Sequence, residues 1–226
     1  MDMAKNKALI VIVIFLLSAL WFFFPLWGSD AGNMLFAMRL ALPATILAIG
    51  GIGLFPRLMT LAFFFCAVGD AMGVIGSFEG QMGGFAIAHL FFICQFVRDI
   101  RQSKITRVAL TISTLLCLIP LIIAGIKVIP AIRDLPIRIG CIVYALLLCG
   151  TLWTSLVRAL SEKGERRILP YITALGAFLF LISDFILSWN KFTSHVNYAS
   201  LYIMTTYYCA LLFLFIGTLR PFIKKS

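Results

Sequence analysis

Apolar runs of about twenty residues follow one another along almost the whole chain, broken only by short segments that hold most of its charge. A helix needs roughly 20 apolar residues to cross a ~30 Å hydrocarbon layer, and within lipid a helix satisfies all of its own backbone groups. Eight such runs are predicted to span, at about 8–27, 34–54, 57–77, 82–98, 107–126, 136–159, 168–189 and 198–219. They leave no stretch for a soluble domain. The expected fold is therefore all-α, a polytopic membrane protein of eight transmembrane helices forming one integral membrane domain over 1–226. The charged fraction of 12% agrees, being half of the ~25% usual for soluble chains. The first run, Ala8 to Trp27, has the basic flank of a signal peptide. It is too long for an ordinary signal core and lacks a small-x-small cleavage site, so it is read as the first helix.

An even number of spans puts both termini on one side, and the basic residues choose the side. With the N-terminus cytoplasmic, Lys5, Lys7, Arg57, Arg98, Arg101, Lys104, Arg107, Arg158, Lys163, Arg166, Arg167, Arg220, Lys224 and Lys225 face the cytoplasm. Arg39, Lys127, Arg133, Arg138 and Lys191 remain for the other face. The expected topology is N-in and C-in, in the inner (plasma) membrane if the cell is bacterial. Because the net charge of +10 is laid out in this topogenic pattern, it gives no reason to expect nucleic acid as a partner. The six cysteines all fall within predicted spans without a CxxC pair and read as small buried hydrophobes.

Against this apolar background Asp70, His89 and Asp184 stand out. A carboxylate or imidazole at membrane depth costs several kcal/mol unless neutral, paired or wetted, so each is a candidate functional residue. Counting ~1.5 Å per residue from the predicted helix ends puts Asp70 and His89 each roughly 10 Å, Asp184 roughly 8 Å and Tyr207 roughly 14 Å from the non-cytoplasmic face. Arg39 comes to roughly 8 Å, with Asn190 and Lys191 just above. One polar chamber open to the non-cytoplasmic leaflet would hold them all. Gly69, Gly73, Gly76, Gly80, Gly83 and Gly84 crowd the same region, giving either tight packing or room for a head group beside Asp70. Pro43 and Pro120 lie within spans, and Pro43 is expected to kink the second helix. The runs ending at Asp70 and Asp184 echo each other and would suit two four-helix halves, but so short and Phe-rich a match is expected from composition as readily.

Four motifs are familiar in order and spacing: Ala67-Val68-Gly69-Asp70; Gly84-Phe85-Ala86-Ile87-Ala88-His89-Leu90; Ile182-Ser183-Asp184-Phe185-Ile186-Leu187 with Asn190-Lys191-Phe192; and Thr206-Tyr207-Tyr208-Cys209-Ala210. Together they resemble the YhhN family of eight-helix membrane proteins, which includes the lysoplasmalogenases. Leu211 departs from the family, where a polar glutamine is expected. The resemblance implies hydrolysis of the vinyl-ether bond of a lysoplasmalogen to a fatty aldehyde and a glycerophospho-base, without a metal or organic cofactor. It also implies a lysophospholipid substrate held among membrane lipids. Asp70, His89 and Asp184 would carry the chemistry, and Arg39, Asn190, Lys191, Tyr207 and Tyr208 would bind substrate. Protonating the vinyl ether's β-carbon creates an oxocarbenium ion that water captures, which asks for one protonated acid and one anion, much as glycosidases use two carboxylates. Either aspartate suits either role, with His89 holding water or relaying the proton.

Other functions remain open on the residues alone. A zinc hydrolase gathers three or more ligands, whereas only His89 and His195 exist. An intramembrane aspartyl protease would use two aspartates, but its other signatures are missing. A proton-coupled transporter using the Asp, His and Asp set as a relay is the non-enzyme alternative.

Overall fold

The computed structural model describes residues 2–24, 34–101, 104–162 and 168–219. Regular structure among them is helical throughout: α1 (Asp2–Phe23), α2 (Met34–Gly50), α3 (Arg57–Val74), α4 (Phe78–Ile100), α5 (Arg107–Ile123), α6 (Leu135–Ser161), α7 (Ile168–Phe192) and α8 (Ala199–Thr218). A π-turn, Ala124–Val128, and a 3-10 turn, Ile129–Ala131, continue α5. Among the described residues all helices but α2 are long and apolar enough to cross a membrane, and α2 contributes a shorter apolar helix, described over Arg39–Gly50. The chain is thus an integral multi-pass membrane protein. Large apolar side chains such as Leu9, Ile10, Leu115 and Ile122 lie on its outer surface, as lipid-facing helices require. The predicted end of the first span at 25–27, Pro25, and the basic residues Lys163, Arg166, Arg167, Arg220, Lys224 and Lys225 lie outside the described residues.

Helix ends follow local chemistry. Thr106 caps α5 by accepting from Ala109 N at 3.1 Å, and Asp134 caps α6 by accepting from Ile137 N at 2.9 Å. Gly53, at φ 83°, belongs to the turn that ends α2 at Gly50 rather than at 54. Gly76, at φ 81°, stops α3 at Val74 rather than 77. There Ser77 N–H bonds Met72 O at 3.0 Å, the 6→1 bond of a glycine-terminated helix. Ser77 Oγ then accepts Gly80 N at 3.1 Å and starts α4 four residues earlier than the sequence suggests.

The chain packs as two compact units, and the division falls inside α4 between Phe91 and Phe92, not between α4 and α5 as two four-helix halves would require. In the first unit α2 packs against both α1 and α3. Gly50 allows the approach to α1, because a Cβ there would come 2.6 Å from a Val11 methyl. The α3–α4 hairpin closes at two glycines: a Cβ on Gly84 would sit 2.7 Å from the Gly69 backbone. Phe65 and Phe91 stack one step further along the hairpin, with ring centroids 5.7 Å apart. In the second unit α5 packs on α6, α6 on α7 and α7 on α8. Gly176 and Gly217 bring α7 and α8 together, each lying where a Cβ would strike the opposing helix, the small-residue contact by which helices associate in lipid.

Candidate active site

In the first unit Asp70 is 2% exposed and His89 fully buried. The expectation that both backbones lie at one level is corrected by the hairpin. Because α3 ends at Val74 and α4 begins at Phe78, Asp70 lies roughly 6 Å and His89 roughly 16 Å from that end. The side chains reduce this offset. Helical side chains lean toward their own N-terminus, so in antiparallel helices Asp70 leans inward along the hairpin and His89 outward, toward one another. Gly69, beside Asp70, receives the ring of Phe85, so that glycine serves packing and not an open cavity. Arg39 is 8% exposed, with its guanidinium 5.4 Å from the ring centre of Trp21 on α1, a cation–π contact.

The second unit contains Asp184, Asn190, Lys191, Tyr207 and Tyr208. Asp184 is 8% exposed and lies eight residues before the end of α7, roughly 12 Å deep. Its Oδ2 accepts a hydrogen bond from the Tyr144 hydroxyl on α6. Tyr207 lies eight residues into α8, which gives the same depth. It packs edge-on against Phe180 at 5.3 Å and beside Tyr208 at 5.6 Å, and both tyrosines are buried. Next to Asp184, Ser183 Oγ donates to Ile203 O on α8 at 3.1 Å. A buried carboxylate with a phenol donor is thus braced between α6 and α8. Leu211, the departure from the family pattern, is fully buried in α8 and contributes packing there.

Asn190 and Lys191 differ in what they can offer a substrate. The Asn190 side-chain oxygen accepts Val196 N at 2.9 Å, tying down the α7–α8 loop. Lys191 is exposed, its ammonium 5.9 Å from the Phe192 ring. Seven residues separate Asp184 from Lys191, so both lie on one face of α7, roughly 10 Å apart. Lys191 leans back toward Asp184. The Tyr144 hydrogen bond to Asp184 brings α6 against α7 at this site.

Two features were not anticipated from the sequence. Tyr144 gave no signal, because a tyrosine in an apolar run is an ordinary packing residue. The second is a polar cluster at the other end of the second unit. Arg158 Nε pairs with Asp99 Oδ2 at 3.2 Å, Gln95 Nε2 donates to Asp99 Oδ1 at 2.8 Å, and Arg158 Nη1 donates to Thr173 Oγ1 at 3.3 Å. The Arg158 side chain is 7% exposed. It joins α4, α6 and α7, a different task from the loop charge the topology count made of it. Among the described residues no group of three or more His, Cys, Asp or Glu is gathered as a metal site would need.

The family model of the YhhN family matches residues 32–218. The chain is 29% identical over 212 residues to lysoplasmalogenase TMEM86B of Homo sapiens, covering 90% of this chain and 84% of that protein. It is 32% identical over 145 residues to lysoplasmalogenase TMEM86B of Sus scrofa (64% of this chain, 55% of that one). With that of Mus musculus it shares 30% over 156 residues (68% and 60%). No solved structure matches the chain. The matched region ends at the last residue of α8 and includes every candidate residue described above: the chain belongs to the YhhN family.

Proposed function

We propose that this protein hydrolyses the vinyl-ether bond of lysoplasmalogens, releasing a fatty aldehyde and glycerophosphoethanolamine or glycerophosphocholine. The observation that carries the reading is the buried Asp184, held by the Tyr144 hydroxyl at membrane depth with Lys191 two turns above on the same face. In the substrate a phosphate lies a glycerol's length from the reacting double bond. Lys191 near the interface suits the phosphate, and Asp184 below it suits the vinyl ether. The names of the mammalian relatives point to the same substrate.

The reaction proceeds by proton transfer to carbon. A neutral carboxyl gives its proton to the β-carbon, and positive charge develops over the α-carbon and the ether oxygen. The Tyr144 hydroxyl positions the Asp184 carboxyl, and we assign Asp184 the role of the anion facing that charge. We assign proton donation to Asp70 and the holding of water to His89 on chemical grounds. Water adds to the α-carbon and returns a proton to the acid. The resulting hemiacetal then collapses, passing its hydroxyl proton to the glycerol oxygen. Purified protein in detergent is expected to release aldehyde from a 1-alkenyl lysophospholipid but none from the saturated 1-alkyl analogue. No release from the alkenyl lipid would refute the reading and favour the transporter, since catalysis in detergent needs no gradient.

We further propose that Arg39 or Lys191 binds the phosphate, with Lys191 better placed. A charge-assisted pair contributes about 1.5–3 kcal/mol. Lys191→Gln is therefore expected to raise KM roughly tenfold or more with kcat little changed. Unchanged KM in both Lys191→Gln and Arg39→Gln would remove the idea.

For the topology we propose eight crossings in one membrane domain, α2 included, with both termini cytoplasmic, on the strength of the basic-residue asymmetry. Reporter fusions after Lys127 and after Lys191 are expected on the non-cytoplasmic side. A cytoplasmic signal from both would contradict it.

A further inference from the structure

An apolar groove of about 590 Å³ runs along the second unit between α5 and α7, with α6 as its floor. Leu116 and Pro120 form one wall, Leu152 and Leu156 the floor, and α7 residues from Tyr171 to Ile186 the other wall. Sequence chemistry opens it. Pro120 has no N–H for the Leu116 carbonyl and crowds it, and the π-turn that follows departs again from the regular helical path before meeting α7. Ala174 withholds side-chain volume near the Tyr171 end of the α7 wall. Apart from the Tyr171 hydroxyl, every lining side chain is hydrocarbon.

We infer that this groove holds the alkenyl chain of the substrate, an inference that rests on the proposed vinyl-ether reaction. Two observations fix the occupant. Phe185 and Ile186, which close the groove at one end, directly follow Asp184 in α7, and Leu181 lies one turn before it; the groove is the stripe of α7 adjoining the Asp184 and Lys191 face. The second is depth. One leaflet of hydrocarbon is about 15 Å thick, and Asp184 lies roughly 12 Å below the end of its helix. A lysolipid whose vinyl ether reaches Asp184 has almost none of its own leaflet left for the chain, which must continue past the midplane. Tyr171 to Ile186 spans about 22 Å along α7, an apolar track of the length the displaced chain needs. The groove is open sideways, with Phe178 and Leu175 each 46% exposed, so the chain enters from the bilayer without threading an end.

The test is photolabelling of the purified full-length protein in detergent with a 1-alkenyl lysophospholipid carrying a diazirine near the end of its chain. Labelling is expected in the peptides holding Leu116, Leu152 and Leu175, and excess unlabelled 1-alkenyl lysophospholipid is expected to suppress it. Labelling that spreads equally to lipid-facing α1 residues such as Leu9 and Ile10 and resists competition would overturn the proposal, leaving only loosely bound lipid. Crosslinking showing a second copy of the chain seated on the groove would overturn it as well. Labelling reports binding alone, so a protein that binds the probe here yet releases no aldehyde contradicts the vinyl-ether reading and not the groove. Leu175→Trp, which fills the groove from its exposed rim, is expected to lower the ratio of kcat/KM for long over short alkenyl chains at least tenfold. Ala174→Leu is expected to act in the same direction with a smaller shift. An unaltered ratio in both, at wild-type thermal midpoint, would overturn the assignment.

Discussion

Asp184→Asn is expected to lower vinyl-ether turnover by about two to four orders of magnitude, the range that positioned proton-transfer and charge-stabilising groups contribute, while the protein still inserts and folds. Asparagine keeps the volume and can still accept from the Tyr144 hydroxyl, so the brace between α6 and α7 survives. What is lost, on the proposed mechanism, is the charge that faces the oxocarbenium ion. Tyr144→Phe removes one hydrogen bond to a charged group, about 1.5–3 kcal/mol. Its expected loss is therefore smaller, roughly ten- to a hundredfold, with the carboxylate still present. If Asp70 and Asp184 serve one reaction, their losses do not add, and Asp70→Asn with Asp184→Asn is expected to be scarcely worse than the poorer single change. Strict additivity, or near-normal turnover in a well-folded Asp184→Asn protein, would contradict these roles.

Arg158→Leu is expected to have the largest effect on stability, through a mechanism unconnected with the chemistry. Removing one member of a buried ion pair leaves the other without compensation, at a cost of about 3–5 kcal/mol. The Asp99 side chain is 30% exposed and partly reached by solvent, so the lower end of that range is expected. Thr173 loses its guanidinium donor at the same time. Replacing Asp99 by Leu as well removes the stranded charge, and the double variant is expected to regain most of the loss. Thermal unfolding in detergent measures both. A wild-type midpoint for Arg158→Leu would show that the pair contributes nothing to the fold.

These two outcomes also mark what the sequence made legible. Hydrocarbon imposes one solution on a long apolar run, a helix satisfying its own backbone, so the helices among the described residues could be read directly, although α2 is shorter than a full span. The same reasoning singled out Asp70, His89 and Asp184, because an ionisable group in such a run conflicts with its surroundings. Tyr144 creates no such conflict and becomes visible only when α6 is laid against α7. Asp99 and Arg158 were masked by position: near helix ends they look like interfacial charge, and only packing shows the Arg158 side chain turned inward. The levels of Asp70 and His89 were misjudged because helix ends are set by turn chemistry. The left-handed Gly76 and the Ser77 cap shorten α3 and lengthen α4, which moves His89 deeper by more than a helical turn.

The most direct measurement is the mass of the aldehyde that purified protein releases from a 1-alkenyl lysophospholipid in D2O, with the free aldehyde incubated alongside to correct for exchange. Proton transfer to the β-carbon predicts one deuterium on the carbon next to the carbonyl, its appearance slowed relative to water and abolished in Asp70→Asn. Aldehyde released without that carbon-bound deuterium, or no aldehyde at all, would contradict the account.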